Sequence, residues 1–163
     1  MIDMKINSIL LAILVGSFFM LIIPFLLIYL NARINLPVFS NLFFTIVGLF
    51  LIFIGTAVFL YCSGLFIKIG KGTPAPIEPP KKLVIKGLYK FTRNPIYLGY
   101  MSIFFGEFFI FGQFLLLVYF ILSISLIHFY VVCREEPLLK RRFGKDYIEY
   151  MKRVPRWFPK KFF

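Results

Sequence analysis

The stretch that decides the fold covers residues 34–67 and reads INLPVFSNLFFTIVGLFLIFIGTAVFLYCSGLFI. No charged residue occurs in it, and the same holds for the stretch between Lys5 and Arg33. Each stretch is longer than the ~20 apolar residues that cross the hydrocarbon core of a bilayer as an α-helix. We therefore predict two membrane-spanning helices, at residues 7–30 and 39–67.

A third apolar stretch runs over residues 96–133 and is interrupted only by Glu107 and His128. It is too long for one ordinary span, and Gly112-Gln113 is the natural turn within it. This predicts two further helices, at residues 96–111 and 114–133. The first of them is short, so it either crosses incompletely or crosses with little tilt.

The composition agrees with a membrane protein and excludes a soluble domain. Of the 163 residues, 60% are apolar and 23 are phenylalanine, which a soluble domain of this size has too little interior to bury. The net charge of +12 falls beside the predicted spans, as juxtamembrane charge that faces anionic lipid. Nucleic acid is therefore not an expected partner.

The distribution of charge orients the chain. Residues 68–93 carry seven basic side chains and one acidic one, and residues 134–163 carry ten basic and four acidic. Lys and Arg concentrate on the cytoplasmic side, so both segments and both termini are expected in the cytoplasm. The predicted fold is an all-α integral membrane protein with four transmembrane helices, a cytoplasmic loop and a C-terminal interfacial helix. We expect one membrane domain with a helical hairpin at 1–67, the loop at 68–95, a second hairpin at 96–133 and an amphipathic tail at 134–163.

The end of the cytoplasmic loop, residues 81–99, interleaves basic and aromatic side chains directly before a membrane helix. Pro95 suits the first turn of that helix, which makes Asn94 the expected N-cap and places Arg93 at the mouth of the bundle. The same residues would serve equally as an interfacial anchor of snorkelling cations and belt aromatics. Composition alone does not separate a binding loop from an anchor.

Glu107 and His128 are the ionisable groups predicted within the hydrocarbon. Glu107 lies ~15 Å along the helix from Tyr97 and must face the bundle interior, on the same side as Tyr100. His128 precedes Glu135 by two helical turns, so the two point the same way. Each is either a catalytic acid or base, or a packing and hydrogen-bonding residue.

Two adjacent carboxylates, Glu135 and Glu136, close the predicted fourth helix together with Pro137. Acids at the negative C-terminal end of a helix are unfavourable, so we expect a compensating cation. It is either a local arginine, Arg141 or Arg142, or a bound positive ligand. After Pro137, apolar residues recur every three or four positions among Lys and Arg, which is typical of a helix lying in the interface. No metal-ligand spacing occurs.

These motifs together resemble the membrane methyltransferases of the isoprenylcysteine carboxyl methyltransferase and phospholipid methyltransferase superfamily, in particular its short prokaryotic branch. The resemblance covers residues 72–159. It is carried by Leu-Val-x-x-Gly-x-Tyr at 83–89, Arg-x-Pro-x-Tyr-x-Gly at 93–99, Glu-Glu at 135–136, and Phe-Gly-x-x-Tyr-x-x-Tyr at 143–150.

The resemblance implies a cytoplasmic pocket for S-adenosylmethionine. In it Glu135 would pair with the cofactor's ammonium group, and Arg93 would hold its carboxylate bidentately. The cofactor contacts implied by the family fall on Lys81, Lys82, Leu83, Val84, Tyr89, Asn94, Pro95, Ile96, Tyr97 and Glu135. The loop at 68–95 is then a cofactor loop.

Two departures from the family pattern bear on the methyl acceptor. Asn94 replaces a histidine, which keeps hydrogen-bonding capacity without a titratable ring. Val131 stands where the isoprenylcysteine enzymes have a substrate-recognising arginine, and Arg134 substitutes for it only if the helix end rotates. An amine acceptor must lose a proton, for which Glu107 or His128 is available. This favours an amine, hydroxyl or other lipid acceptor, with a carboxyl still open.

The resemblance therefore predicts a methyltransferase that moves a methyl group to a lipophilic acceptor at the inner face of the membrane. The acceptor could be a phospholipid amine, an isoprenylcysteine carboxyl or a related lipid. Two alternatives stay open: an NADPH-dependent membrane reductase of the sterol-reductase type, which shares a similar Arg-x-Pro-x-Tyr-x-Gly turn, and a non-enzymatic membrane scaffold. The expected partners are the acceptor and membrane lipids, with neither a metal nor nucleic acid.

Overall fold

The computed structural model describes residues 14–70 and 81–158, and these form a bundle of helices. The helices are α1 (Leu14–Arg33), α2 (Leu42–Leu65), α3 (Pro95–Phe111), α4 (Phe114–Tyr130) and α5 (Glu136–Arg153). Wider π-helical turns lie at Phe18–Ile22, Phe66–Gly70 and Val131–Glu135, and a 3-10 turn lies at Gly87–Lys90. No β-strand occurs in the described ranges, which confirms the all-α class. The predicted start of the first helix at residue 7, loop residues 71–80 and tail residues 159–163 lie outside the described residues.

Three stretches of helix are long and apolar enough to cross a membrane: Leu14–Arg33, Leu42–Gly70 and Phe114–Arg153. They confirm three of the four predicted spans by length and composition. The fourth, α3, has 17 residues, which at 1.5 Å per residue corresponds to about 25 Å. That is shorter than a ~30 Å hydrocarbon core. Whether α3 crosses fully stays a prediction.

Helices α2 and α3 pack closely through glycines spaced seven apart on both helices. A Cβ on Gly55 would lie 2.6 Å from the carbonyl oxygen of Gly99, and one on Gly48 would lie 2.7 Å from that of Gly106. Such distances leave no room for a side chain, so backbone meets backbone, as small residues allow in membrane helices. This contact fixes α3, which carries Tyr97 at its first turn, against α2.

The end of the bundle opposite α5 is held by a glycine turn and a buried asparagine. Gly112 adopts φ 63° between α3 and α4, and its carbonyl accepts from the Phe39 amide at 2.7 Å, as the sequence predicts for a turn there. Asn31 is 0% exposed. Its amide nitrogen donates to the Leu36 carbonyl at 3.1 Å, and its oxygen accepts from the Leu115 amide at 3.0 Å.

The predicted end of the fourth helix at Pro137 is wrong. The backbone stays helical from Phe114 through the π-helical turn Val131–Glu135 into α5, and α5 is kinked at Gly144, where φ is 53° and ψ is −124°. Pro137 occupies the first turn of α5, where its missing N–H costs little. Because no helix ends at the two glutamates, the dipole argument for an adverse C-terminal charge does not apply to them.

The sequence predicts that the apolar side of α5 faces the lipid interface, but in the structure these residues pack against another part of the chain. Tyr147, Tyr150 and Val154 are buried and form a cluster with Leu83, which precedes α3 in the chain. The remaining members of this cluster are Leu139, Phe143 and Met151. The amphipathic pattern was correct, but its apolar residues cover another part of the same chain, and α5 therefore closes over the segment before α3.

Candidate functional site

Residues 81–90, which we call the strap, cross from the end of α2 to the beginning of α3. Val84 and Tyr89 are buried among Cys62 of α2 and Ile96 of α3. The Tyr150 hydroxyl donates to the Tyr89 carbonyl at 2.7 Å. Burial raises the pKa of the Tyr89 hydroxyl far above its usual value, so it stays neutral. The strap is thus fixed on both sides, to the bundle and to α5.

Tyr97 and Glu135 meet where the strap, α3 and the π-helical turn converge. The Tyr97 hydroxyl donates to Oε2 of Glu135 at 2.7 Å. Within the described part of the chain, neither a guanidinium nor an ammonium group pairs with Glu135. One carboxylate oxygen, Oε1, therefore remains available to a ligand.

The neighbouring carboxylate, Glu136, is fully engaged. Arg156 donates to it bidentately, from Nε to Oε1 at 2.7 Å and from Nη2 to Oε2 at 3.0 Å. Nη1 of Arg93 lies 3.0 Å from the same Oε1. The hydrogen bond to Glu136 raises the pKa of the Arg156 guanidinium, which keeps it charged. The prediction that Arg141 or Arg142 pairs with the glutamates is wrong, because the cations that pair with Glu136 come from distant positions in the chain.

Arg93 is the predicted partner of the cofactor carboxylate, and the structure already pairs it with Glu136. Its side chain is 7% exposed and that of Glu136 is 6% exposed. Both Nε and Nη1 of Arg93 are buried without a hydrogen-bond acceptor among the described residues, although Nη1 lies within ion-pair distance of Glu136. Two nitrogens of this guanidinium therefore lack a hydrogen bond, and the contact of Arg93 with a cofactor stays a prediction.

Asn94 precedes α3 as predicted, but its side chain does not cap the helix. Its amide nitrogen instead donates to the Arg156 carbonyl at 3.1 Å. The Thr92 hydroxyl donates to the same carbonyl at 3.0 Å. A partner 62 residues away in sequence outcompetes the local cap, which a local pattern cannot reveal.

The predicted cofactor residues fall in two places. Lys81, Lys82 and Leu83 line an open groove of about 560 Å³ between the strap and the end of α5. Glu135 and Tyr97 do not line that groove, and lie instead where α3 meets the π-helical turn. The others, Val84, Tyr89, Asn94, Pro95 and Ile96, are buried. Their surroundings are those of core positions that hold the strap against α3.

The three predicted catalytic residues are not brought together. Glu107 is 7% exposed, with Oε2 buried and without a partner among the described residues, and it lies about 15 Å along α3 from Tyr97. His128 is exposed, and its Nδ1 accepts from Nε1 of Trp157 at 3.0 Å. Arg134 is exposed. The π-helical turn after His128 also breaks the seven-residue register that would align it with Glu135.

No role was predicted for Arg156, which the structure places between Glu136 and the segment before α3. The signal available was the need of two adjacent acids for cationic partners, but nothing in the spacing selects a position 20 residues further on. Among the described residues, no group of three His, Cys, Asp or Glu side chains could hold a metal ion.

A family model described as phospholipid methyltransferase matches residues 25–146 of the chain. The match includes α2, the strap, α3, α4 and both glutamates at 135 and 136. No curated protein matches the chain at a significant level.

Proposed function

The chain belongs to the phospholipid methyltransferase family, and from that membership we propose that it is an S-adenosylmethionine-dependent enzyme that methylates a lipophilic acceptor at the cytoplasmic face of a membrane. Membrane methyltransferase activity in general follows from the family and from the three apolar helices. The cofactor, the acceptor and the orientation are the parts that we propose.

The observation that carries the proposal is the unequal environment of the two adjacent glutamates. Among the described residues, Glu136 is paired with two guanidinium groups, whereas the partner of Glu135 is the Tyr97 hydroxyl. A carboxylate held in place by a neutral donor, with one oxygen free, suits a cationic ligand. Its hydrogen bond orients the group without neutralising its charge.

This donor set fits S-adenosylmethionine, which carries an ammonium, a sulfonium, a carboxylate and an adenine. Glu135 would take the ammonium, and the unsatisfied Nε of Arg93 would take the carboxylate. Tyr97 would pack the adenosine, with backbone groups of Leu83 and Val84 at its polar edge, whereas Tyr89 is buried in the core and would hold the strap in place. When bound, the cofactor supplies a methyl group already activated by the sulfonium. The chain's own contribution is to bind, orient and exclude water.

The acceptor is proposed to be a lipid amine of the phospholipid type. The position one helical turn before Glu135 holds Val131, which is 0% exposed and carries no cation. Recognition of a substrate carboxylate by that route is therefore lost. The exposed side of α4 carries the large apolar residues Ile121, Leu122, Leu126 and Phe129, which favours an acceptor that enters sideways from the bilayer.

An amine acceptor needs a group that removes its proton, and the two candidates differ in availability. The basic Nδ1 of His128 already accepts from Trp157, so His128 can act only if that hydrogen bond opens. Glu107 has a free buried oxygen but lies deeper along α3. Neither residue is therefore proposed as the acceptor-side base: Glu107 lies about 15 Å along α3 from Tyr97, whereas a general base must be within hydrogen-bond reach of the proton that it removes.

The test is calorimetric titration of the purified protein in detergent with S-adenosylmethionine and, separately, with NADPH. We expect S-adenosylmethionine binding that is lost in Glu135→Gln and partly retained in Glu135→Asp, with Arg141→Gln as the exposed-residue control. Binding of NADPH alone would favour a reductase, and binding of neither would favour a scaffold. Transfer of a labelled methyl group into a lipid extract, followed by identification of the labelled species, names the acceptor.

A further inference from the structure

The segment that follows α5, residues 154–157, folds back onto the beginning of α3, and we call it the clasp. The amide of Arg93 donates to the Pro155 carbonyl at 2.9 Å. The carbonyl of Arg156 accepts from the side chains of Thr92 and Asn94. Three hydrogen bonds thus fasten the clasp to residues 92–94, directly before the helix that carries Tyr97.

The side chain of Arg156 reaches in the other direction. It forms the bidentate pair with Glu136, the residue next to Glu135. Arg156 therefore holds two backbone segments at once: residues 92–94 through its main chain and the start of α5 through its guanidinium. Tyr97 follows the first segment by one helical turn, and Glu135 adjoins the second.

We propose that Arg156 is a positioning residue that sets the Tyr97–Glu135 hydrogen bond and so prepares Glu135 for its cationic ligand. Arg156 itself touches neither Tyr97 nor Glu135 in the contacts described for it. This inference rests on the proposed function, because it assigns the free oxygen of Glu135 to cofactor binding.

Two further contacts make the clasp rigid enough for that role. Val154 is buried in the cluster that α5 forms with Leu83 of the strap. The Trp157 indole donates to Nδ1 of His128 at the end of α4. The clasp is thus tied on either side of Arg156, so its guanidinium needs little further ordering to meet Glu136.

The experiment compares Arg156→Gln and Arg156→Lys with the matched control Arg141→Gln, whose arginine is exposed and outside this network. The affinity for S-adenosylmethionine is measured by calorimetry, and KM and kcat are measured by labelled-methyl transfer. For Arg156→Gln we expect Kd and KM to rise about tenfold, within the range for coupled neighbouring residues, with kcat nearly unchanged. Arg156→Lys should recover part of the loss, and the control should match the wild type.

A double variant asks whether Arg156 acts through Glu136. If it does, Glu136→Gln combined with Arg156→Gln should bind S-adenosylmethionine no more weakly than the weaker single variant. Losses that multiply would overturn the proposal. The proposal would also be overturned if Arg156→Gln left KM unchanged and lowered kcat only in proportion to the fraction of folded protein measured by thermal unfolding.

The outcomes also separate this inference from the proposed function. A wild-type protein that does not bind S-adenosylmethionine refutes both. If the wild-type protein binds S-adenosylmethionine and both Arg156→Lys and Arg156→Gln bind it as tightly as the wild type does, the positioning role alone is refuted. If Arg156→Gln does not fold, the affinity of Arg156→Lys decides, and an affinity equal to that of the wild type rejects the proposal.

Discussion

Replacing Gly55 by alanine should destabilise the bundle, whereas the same replacement at Gly64 of the same helix should not. A Cβ at Gly55 would lie 2.6 Å from the Gly99 carbonyl oxygen and 2.8 Å from Cγ1 of Ile103. The nearest of these atoms is backbone, so α2 and α3 must separate to make room. A Cβ at Gly64 would meet nothing within 4 Å.

The two substitutions share one favourable effect and differ in one unfavourable effect. Alanine in a helix interior is better than glycine by roughly 0.5–1 kcal/mol, and this applies at both positions. Overpacking at Gly55 opposes it with about 1–3 kcal/mol. The free energy of unfolding should therefore be about 1–3 kcal/mol lower for Gly55→Ala than for Gly64→Ala, because the shared helix gain cancels.

The measurement is unfolding of the purified protein in mixed detergent micelles, with the two variants and the wild type compared under identical conditions. Methyl transfer is assayed beside it, since displacement of α3 would carry Tyr97 away from Glu135 and weaken cofactor binding. Equal stability of the two variants would contradict the close backbone contact between α2 and α3.

Three other substitutions test separate parts of the structure. Tyr97→Phe removes the donor to Glu135 and should weaken S-adenosylmethionine binding by about three- to tenfold in calorimetry, as expected for a hydrogen bond worth about 0.5–1.5 kcal/mol; an unchanged Kd would show that the bond does not orient the carboxylate. Asn31→Ala leaves the Leu36 carbonyl and the Leu115 amide without their partner and should lower the free energy of unfolding by about 2 kcal/mol. A change below about 0.5 kcal/mol would contradict the contact that Asn31 makes between α1 and α4. Glu107→Gln should leave both cofactor affinity and kcat nearly unchanged, because Glu107 lies about 15 Å along α3 from Tyr97 and so out of reach of the reacting groups, and a fall in kcat of about 100-fold would contradict this placement.

The parts of the fold that follow from composition were predictable from the sequence. Membrane helices need long uncharged runs, so the spans at 39–67 and 114–133 could be located to within a few residues at one end. The turn at Gly112 followed from its glycine, whose φ of 63° disfavours other residues. The continuation of the helix past Pro137 could not be predicted, because a proline within a polar segment signals a boundary unless the widened turn before it is known.

The candidate site was predictable as a set of residues but not as an arrangement. The motifs indicated both Glu135 and Tyr97, and the structure joins them through one hydrogen bond. The partners of Glu136 depend on how the chain folds back after α5, which no local spacing encodes. Only the three-dimensional path of the clasp brings Arg156 to the beginning of α3.

The adjacent glutamates make sense as a division of roles along one stretch of backbone. A carboxylate that must meet a cationic ligand cannot also be the structural partner of a buried arginine, because that pairing would neutralise the charge that the ligand needs. Glu136 takes the structural role with Arg93 and Arg156, and its loss would leave the nearly buried guanidinium of Arg93 uncompensated, at a cost of about 3–5 kcal/mol. Glu135 is then positioned by the fixed backbone of Glu136 beside it and by the hydrogen bond from the neutral Tyr97 hydroxyl. The two positions should therefore differ in their effect on stability: Glu136→Gln should lower the free energy of unfolding and, through the position of Glu135, also the cofactor affinity, whereas Glu135→Gln should lower the cofactor affinity with little change in the free energy of unfolding.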